Sequence, residues 1–244
     1  MRCVKFLLTG RVGHFARAEY NAGFWDTYPI PPRTSLMGLV GAILGLDKDE
    51  PQVKLAGSLF AVSGPIPQIH YHMANMRKNR PPTIKSYTLA SLEKHRDETK
   101  VFKVFNTRIR QAWLFEPKFV IYASLPGDFH DEFVTRIKTE QYRYAPVLGK
   151  SGMFAQLELL GEEDVQALPE GHHDVVTVVR RTPSTKLVLT EPTPLQELVM
   201  PWDVSPDRVF TFSPDPYLVQ RDGDPIPVHT PDAHQFEDQS IMFL

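Results

Sequence analysis

The sequence predicts an α+β protein with many short strands and few helices, on three observations. Proline is abundant, 22 of 244 residues, which favours short strands and stiff connections over a helical bundle. The first 160 or so residues alternate strand-like and helix-like periodicity. Beyond Gly161 the helical signals fade, and short β segments separated by prolines take over.

The elements follow in order. Residues 2–9, RCVKFLLT, alternate and then run apolar, as a strand does, and Gly10 ends it. A connection of about twenty residues follows, rich in aromatic and basic side chains, and loops of that length tend to be functional. A helix is expected from Thr34 to Leu46, with Thr34 or Ser35 as N-cap and Gly45 near its end. A shorter helix covers Glu50 to Leu59. Strand patterns return at Ile66–Met73 (IPQIHYHM) and at Ala112–Leu125, where Pro117 marks an edge or a bulge. Between them, YTLASLEKHRDETKVFKVF reads as a hairpin turning near Arg96–Thr99. Phe129, Phe133, Val134 and Ile137 form a helical stripe capped by Asp128, and FAQLELLG is the next strand. The order strand, helix, strand, strand, helix, strand is that of the ferredoxin-like (RRM-like) βαββαβ domain, assigned here to residues 1–161. Residues 162–244 form an acidic, β-rich C-terminal region.

Composition narrows the function. Hydrophobic residues at 42% and charged residues at 23% are ordinary for a globular chain. The single cysteine, Cys3, excludes an internal disulfide framework, no Cys/His spacing matches a structural zinc site, and no cofactor motif is present. The N-terminal apolar stretch is too short for a secretory signal, and Leu36–Leu46 is too short to cross a bilayer. A soluble cytoplasmic protein with no membrane partner is expected. The net charge of -2 conceals a segregation: residues 77–118 carry eleven Lys/Arg against four acids, whereas 158–244 carry sixteen acids against five bases. A polyanion is drawn to the first region and repelled by the second.

The stretch YPIPPRTS, ahead of the glycine-studded LMGLVGAILGL, offers a more local site. Prolines 29, 31 and 32 hold a helix start in place, its first amides lack intrahelical partners, and Arg33 adds a guanidinium suited to phosphate. With Thr34 and Ser35 this forms a phosphate cradle, or else an ordinary capped helix with an incidental arginine. Gly38, Gly41 and Gly45 lie along one side of the helix, where close packing against the sheet is expected. Phe15 and Phe24 are candidates for base stacking, and His70 and His72 share one strand face, with Tyr71 on the other. Trp25, Trp113 and Trp202 read as core or interface anchors.

Taken together, GHFARAEY, PPRTSLMGLVGAILGL and YAPVLGKSGMF resemble the CRISPR-associated Cas-five family of RAMP proteins, over roughly the first 160 residues and nearest to type I-B-like forms. The resemblance implies a Cascade subunit in antiviral defence that caps the 5' handle of the crRNA. It also implies contacts with the backbone and large subunits, and only an indirect relation to target DNA. Relatives project a β-hairpin thumb, which falls here at about residues 77–110. The RNA-binding residues so expected are Arg11, His14, Phe15, Arg17, Arg33, Thr34 and Ser35; Arg77, Lys78, Arg80, Lys85, Arg108 and Arg110 on the thumb; and Gly149, Lys150 and Ser151. One branch of the family is a metal-independent endoribonuclease that uses a tyrosine, a lysine and a histidine. Lys94 and His95 are adjacent, with tyrosines at 20 and 28, but they adjoin in a charged hairpin and the long N-terminal region does not look like that branch, so no catalytic residue is assigned and pre-crRNA processing stands as the alternative.

Overall fold

The computed structural model describes residues 1–19, 24–77 and 106–244. Strand β1 (Arg2–Gly10) leads through a long connection to helix α1 (Arg33–Leu44) and the single-turn α2 (Glu50–Lys54). Four strands follow: β2 (Leu59–Ser63), β3 (Gln68–Arg77), β4 (Asn106–Phe115) and β5 (Lys118–Ser124). Helix α3 (Phe129–Thr139) and strand β6 (Ala155–Asp164) complete this part. The result is a mixed, strand-rich α+β chain, and among the described residues no helix is long and apolar enough to cross a membrane.

The central sheet has the order β6-β1-β5-β2, antiparallel throughout. Alternation in β1 sends Val4, Phe6 and Leu8 to one face, where they are buried with Phe60, Phe119 and Ile121 beneath α1 and α3. There Phe6 meets Phe133 of α3 edge-on, ring centroids 5.5 Å apart. Cys3 points to the opposite face with Ala61 and Tyr122, and this face is covered by Val165, Phe236, Ile241 and Phe243 from the C-terminal strands. Burial pushes the Cys3 thiol up to about 12, which keeps it protonated and inert. Val178 and Leu244 also donate backbone hydrogen bonds to Val62 and Phe60 of the edge strand β2, so the β-rich C-terminal segments close that edge of the sheet.

Several elements depart from the sequence expectation. The second strand of the sheet is LFAVS in β2, of which only Leu59 falls within the helix expected over Glu50–Leu59 and the rest carries no expected element. That helix stops at Lys54, and a run of four apolar residues and a serine is too short for a period that separates strand from helix. The Ile66–Met73 strand exists, but it pairs with β4 in a long hairpin outside the central sheet. The Ala112–Leu125 strand is two strands. They run in the same direction, both antiparallel to the chain of residues 4–13, and Glu116, at φ 44°, forms with Pro117 the bulge between them, where the Glu116 N–H donates to the Arg11 carbonyl at 3.0 Å.

Helix α1 begins one residue earlier than expected. Pro32, extended at φ -68° and ψ 158°, is its N-cap, no side chain caps it, and neither Thr34 nor Ser35 occupies the capping position. The Pro32 carbonyl instead accepts from the Ser35 and Leu36 amides, at 2.9 and 3.1 Å. Gly45, at φ 83°, closes the helix with its N–H on the Gly41 carbonyl. The glycine stripe does not face the sheet. Gly41 faces Pro51 of α2 so closely that a Cβ there would collide with the proline ring, while Gly38 is open to solvent.

Arg33 is the largest correction. Its side chain is only 4% exposed, and the guanidinium donates to the carbonyls of Ala56 (2.6 Å), Ser58 (3.1 Å) and Trp202 (3.1 Å). It also lies 4.3 Å from the Trp202 ring centroid, with Asp203 3.9 Å away. Burial lowers its pKa, and Asp203 opposes that shift. An arginine fixed in this way is not available to phosphate, so the expected cradle lacks its cation, and what remains at the helix start is half-buried Thr34 and Ser35. Replacing Arg33 with Met is expected to cost about 3 kcal/mol or more, because buried carbonyls lose their donor. Urea unfolding measures this loss, and Arg33→Lys should recover part of it.

Candidate nucleic-acid interface

The β3/β4 hairpin runs in register from Gln68↔Phe115 to Arg77↔Asn106. Directly opposed residues share a face, so the alternation in QIHYHMAN divides its side chains into two sets. One face carries His70, His72, Trp113 and Phe115. His72 stacks on Trp113 at 4.7 Å between centroids, and His70 lies 5.0 Å from Phe115. The other face begins buried at Leu114 and Ala112 and becomes exposed at Tyr71, Met73, Asn75, Arg108 and Arg110.

A short segment, Phe24–Trp25, lies parallel to β4 opposite Arg110 and Gln111. This placement surrounds the Arg110 guanidinium with rings, 4.1 Å from the Tyr71 centroid and 5.5 Å from that of Phe24. Phe24 and Tyr71 are themselves 6.1 Å apart. Planar cations alternating with aromatic faces suit unpaired bases, since stacking on such side chains contributes roughly 1–3 kcal/mol per base. The guanidinium adds a positive charge for the adjoining phosphates.

Next to this cluster lies the turn 148–153. Gly149 and Gly152 both adopt φ 87°, a conformation that disfavours L side chains. The turn closes through Leu148 N–H to the Met153 carbonyl (2.8 Å) and Met153 N–H to the Lys150 carbonyl (3.1 Å). His14 N–H holds it from outside by donating to the Leu148 carbonyl at 2.9 Å. Gly149 passes so close to the His14 carbonyl that a Cβ would overlap it. The turn presents exposed Ser151 and the Lys150 ammonium, which lies 3.9 Å from the Trp25 ring centroid and whose pKa is lowered by burial.

The expected contact residues therefore divide. Arg108, Arg110, Gly149, Lys150 and Ser151 belong to one side of the hairpin and the adjoining turn, and Arg11 is exposed beside the bulge at Glu116. His14 and Phe15 are buried instead, at 1% and 3% exposure. Phe15 packs against Phe119 in the core, so it cannot stack on a base. The His14 Nδ1–H donates to the Ala112 carbonyl at 2.8 Å, and burial lowers the ring's pKa. Arg17 is paired with Asp26 at 3.2 Å and Glu19 at 3.6 Å, and lies over the Tyr28 ring. Lys78, Arg80, Lys85, Tyr20, Lys94, His95 and the predicted turn near Arg96–Thr99 lie outside the described residues; Arg77 is placed only by its backbone register. Tyr28, the other tyrosine considered for catalysis, is buried and donates to Glu19 at 3.0 Å. Burial raises its pKa.

Tyr71 and Trp25 are not among the expected contact residues, although the alternation of IHYHM already separates Tyr71 from the two histidines. Among the described residues, no three His, Cys, Asp or Glu side chains come together as a metal site.

A family profile described as CRISPR-associated protein (Cas_Cas5) matches residues 3–205. Two solved structures share the fold. One is a chain of a "CRISPR RNA-guided surveillance complex", 13% identical over 92% of this chain and 91% of that one, with a TM-score of 0.54. The other is a CRISPR protein from Archaeoglobus fulgidus, 11% identical over 99% and 98% of the two chains, with a TM-score of 0.52. No curated protein matches the sequence.

The buried His14 makes a pH prediction. Its folded pKa lies below the ordinary 6.5, so the unfolded chain takes up the proton first as pH falls. The stability it contributes is present above about pH 6.5 and is lost as pH drops from there toward the folded pKa. Urea midpoints measured across this range should fall with acidification, and part of that fall should be absent from His14→Asn.

Proposed function

The chain belongs to the CRISPR-associated protein (Cas_Cas5) family, and we propose that it is the crRNA-binding subunit of a cytoplasmic type I Cascade effector, of I-B-like character. In this reading it caps the 5' handle of the guide and contacts the backbone and large subunits. The observation that carries the proposal is the Arg110–Tyr71–Phe24 cluster on the projecting hairpin, continued by Trp25 and Lys150. Stacking rings, a guanidinium and an ammonium on adjoining elements make a surface for single-stranded RNA. The described hairpin strands lead toward the basic stretch 78–105, consistent with a thumb. The sheet order with its two helices on one face is read as the ferredoxin-like arrangement of RAMP proteins.

The proposed role is binding without chemistry. The handle phosphates would be held by Arg108, Arg110, Lys150 and Arg11, and the handle bases by the rings of Tyr71, Phe24 and Trp25. Arg33 and His14 would act indirectly, by holding α1 and the glycine turn in place. The acids of the C-terminal region would face protein or solvent, because they repel RNA. Neither the handle sequence nor the target enters this account, since stacking and phosphate contacts carry little base identity.

Two measurements check this reading. Binding of repeat-derived single-stranded RNA should weaken with salt, with a slope of about 0.7 per neutralised phosphate. Arg110→Ala should reduce that slope by about one contact, and Tyr71→Ala should weaken binding with the slope unchanged. A flat salt response would reject the RNA grip. Incubation with repeat RNA in EDTA should leave the RNA intact. A single defined cut abolished by His95→Ala would instead establish the endoribonuclease alternative.

A further inference from the structure

Strands Pro201–Val204 and Phe210–Phe212 form a two-stranded sheet of their own. One side of this ribbon is fastened to the body. Trp202 lies over Arg33 and accepts from it, Val204 is buried, and Arg208 near the turn is 2.9 Å from Asp49. The other side has no fastening. Phe210–Phe212 pairs with Pro201–Val204 alone, so its far edge keeps backbone donors and acceptors without a strand partner among the described residues.

That free edge is also apolar. Residues 206–212 are all exposed, among them Val209 at 65%, Phe210 at 39% and Phe212 at 37%, and Val199 beside the ribbon is 54% exposed. Soluble proteins blunt open edges with lysine, proline or a bulge. VFTF carries neither charge nor proline, and the irregularity in this pair falls on the Trp202 side. The surrounding sequence is acidic: Asp203 stands opposite Thr211 on the inner strand, Asp207 lies in the exposed turn and Asp215 follows the outer strand, and Arg208, the one base in residues 199–215, is occupied by Asp49.

An apolar edge among acids repels RNA, and two copies of the ribbon would bring their own acids together. The charge pattern fits an extended polypeptide with alternating apolar and Lys/Arg residues. Such a segment adds to an open edge through main-chain hydrogen bonds. We propose that Phe210–Phe212 takes a basic, strand-forming segment of another protein subunit as a third strand. This inference rests on the reading of the chain as a subunit of an effector complex.

The test measures how the purified full chain joins the complex's other protein subunits, prepared as a subassembly lacking it. The Phe210→Ser/Phe212→Ser double variant should bind the subassembly at least about tenfold more weakly. Asp207→Lys/Asp215→Lys should also weaken binding and flatten its dependence on salt, a readout that survives if the Phe variant does not fold. RNA affinity of the chain alone should be unchanged in both variants. Unchanged subassembly affinity in both variants would overturn the proposal while leaving the subunit reading intact. So would a wild-type dimer in sedimentation that the Phe variant abolishes, since the edge would then pair with itself. A wild-type chain that binds neither RNA nor the subassembly would overturn the subunit reading and the proposal together.

Discussion

The Arg33 guanidinium joins three parts of the chain at one buried point. It lies at the first turn of α1, its donors are taken by carbonyls preceding and opening the β2 segment, and its face covers Trp202 of the C-terminal ribbon. A charge so buried is costly unless its donors are matched, and three carbonyls with an aromatic face match its terminal nitrogens, while the buried Nε–H has no partner among the described residues. Its effect is geometric: the helix start, the edge strand and the ribbon cannot shift independently. The three prolines before it act in the same direction, stiffening the approach so that the arginine enters at a fixed angle.

From this point the molecule separates its charges by element. The described basic side chains Arg108, Arg110 and Lys150 stand on the hairpin and the glycine turn, among Tyr71, Phe24 and Trp25. The acids concentrate beyond β6, on strands that cover the second face of the sheet and close its β2 edge. A near-neutral total thus hides a surface that attracts a polyanion in one region and repels it in another. The repelling region carries the exposed Phe210–Phe212 edge, where the proposed basic segment would be held without competition from nucleic acid.

Local patterns were legible wherever a period or a punctuating residue carried the information. The alternation of β1, the stripe of α3 behind Asp128 and the glycine that ends α1 are all visible in the chain. The separation of Tyr71 from His70 and His72 by strand parity was also readable, and it is the arrangement the hairpin adopts. Arg33 was misread because its partner, Trp202, lies 169 residues away. An arginine before a helix looks the same in sequence whether it faces solvent or a ring contributed by a distant strand. His14 and Phe15 failed for the same reason, since basic and aromatic neighbours mark a loop as a surface only when the glycine turn at 148–153 has not folded against it. LFAVS carries no strand signal of its own because its strand identity comes from pairing with β5, which no five-residue window contains.

The central claim is that RNA lies on the hairpin's aromatic and cationic face. Ultraviolet crosslinking of the intact chain to repeat-derived RNA, followed by peptide mapping of the adducts, tests it most directly, because excited bases join the rings they stack on. The account predicts adducts at Tyr71, Phe24 and Trp25. Adducts confined to the acidic strands beyond β6, or to the ribbon at Phe210–Phe212, would contradict it.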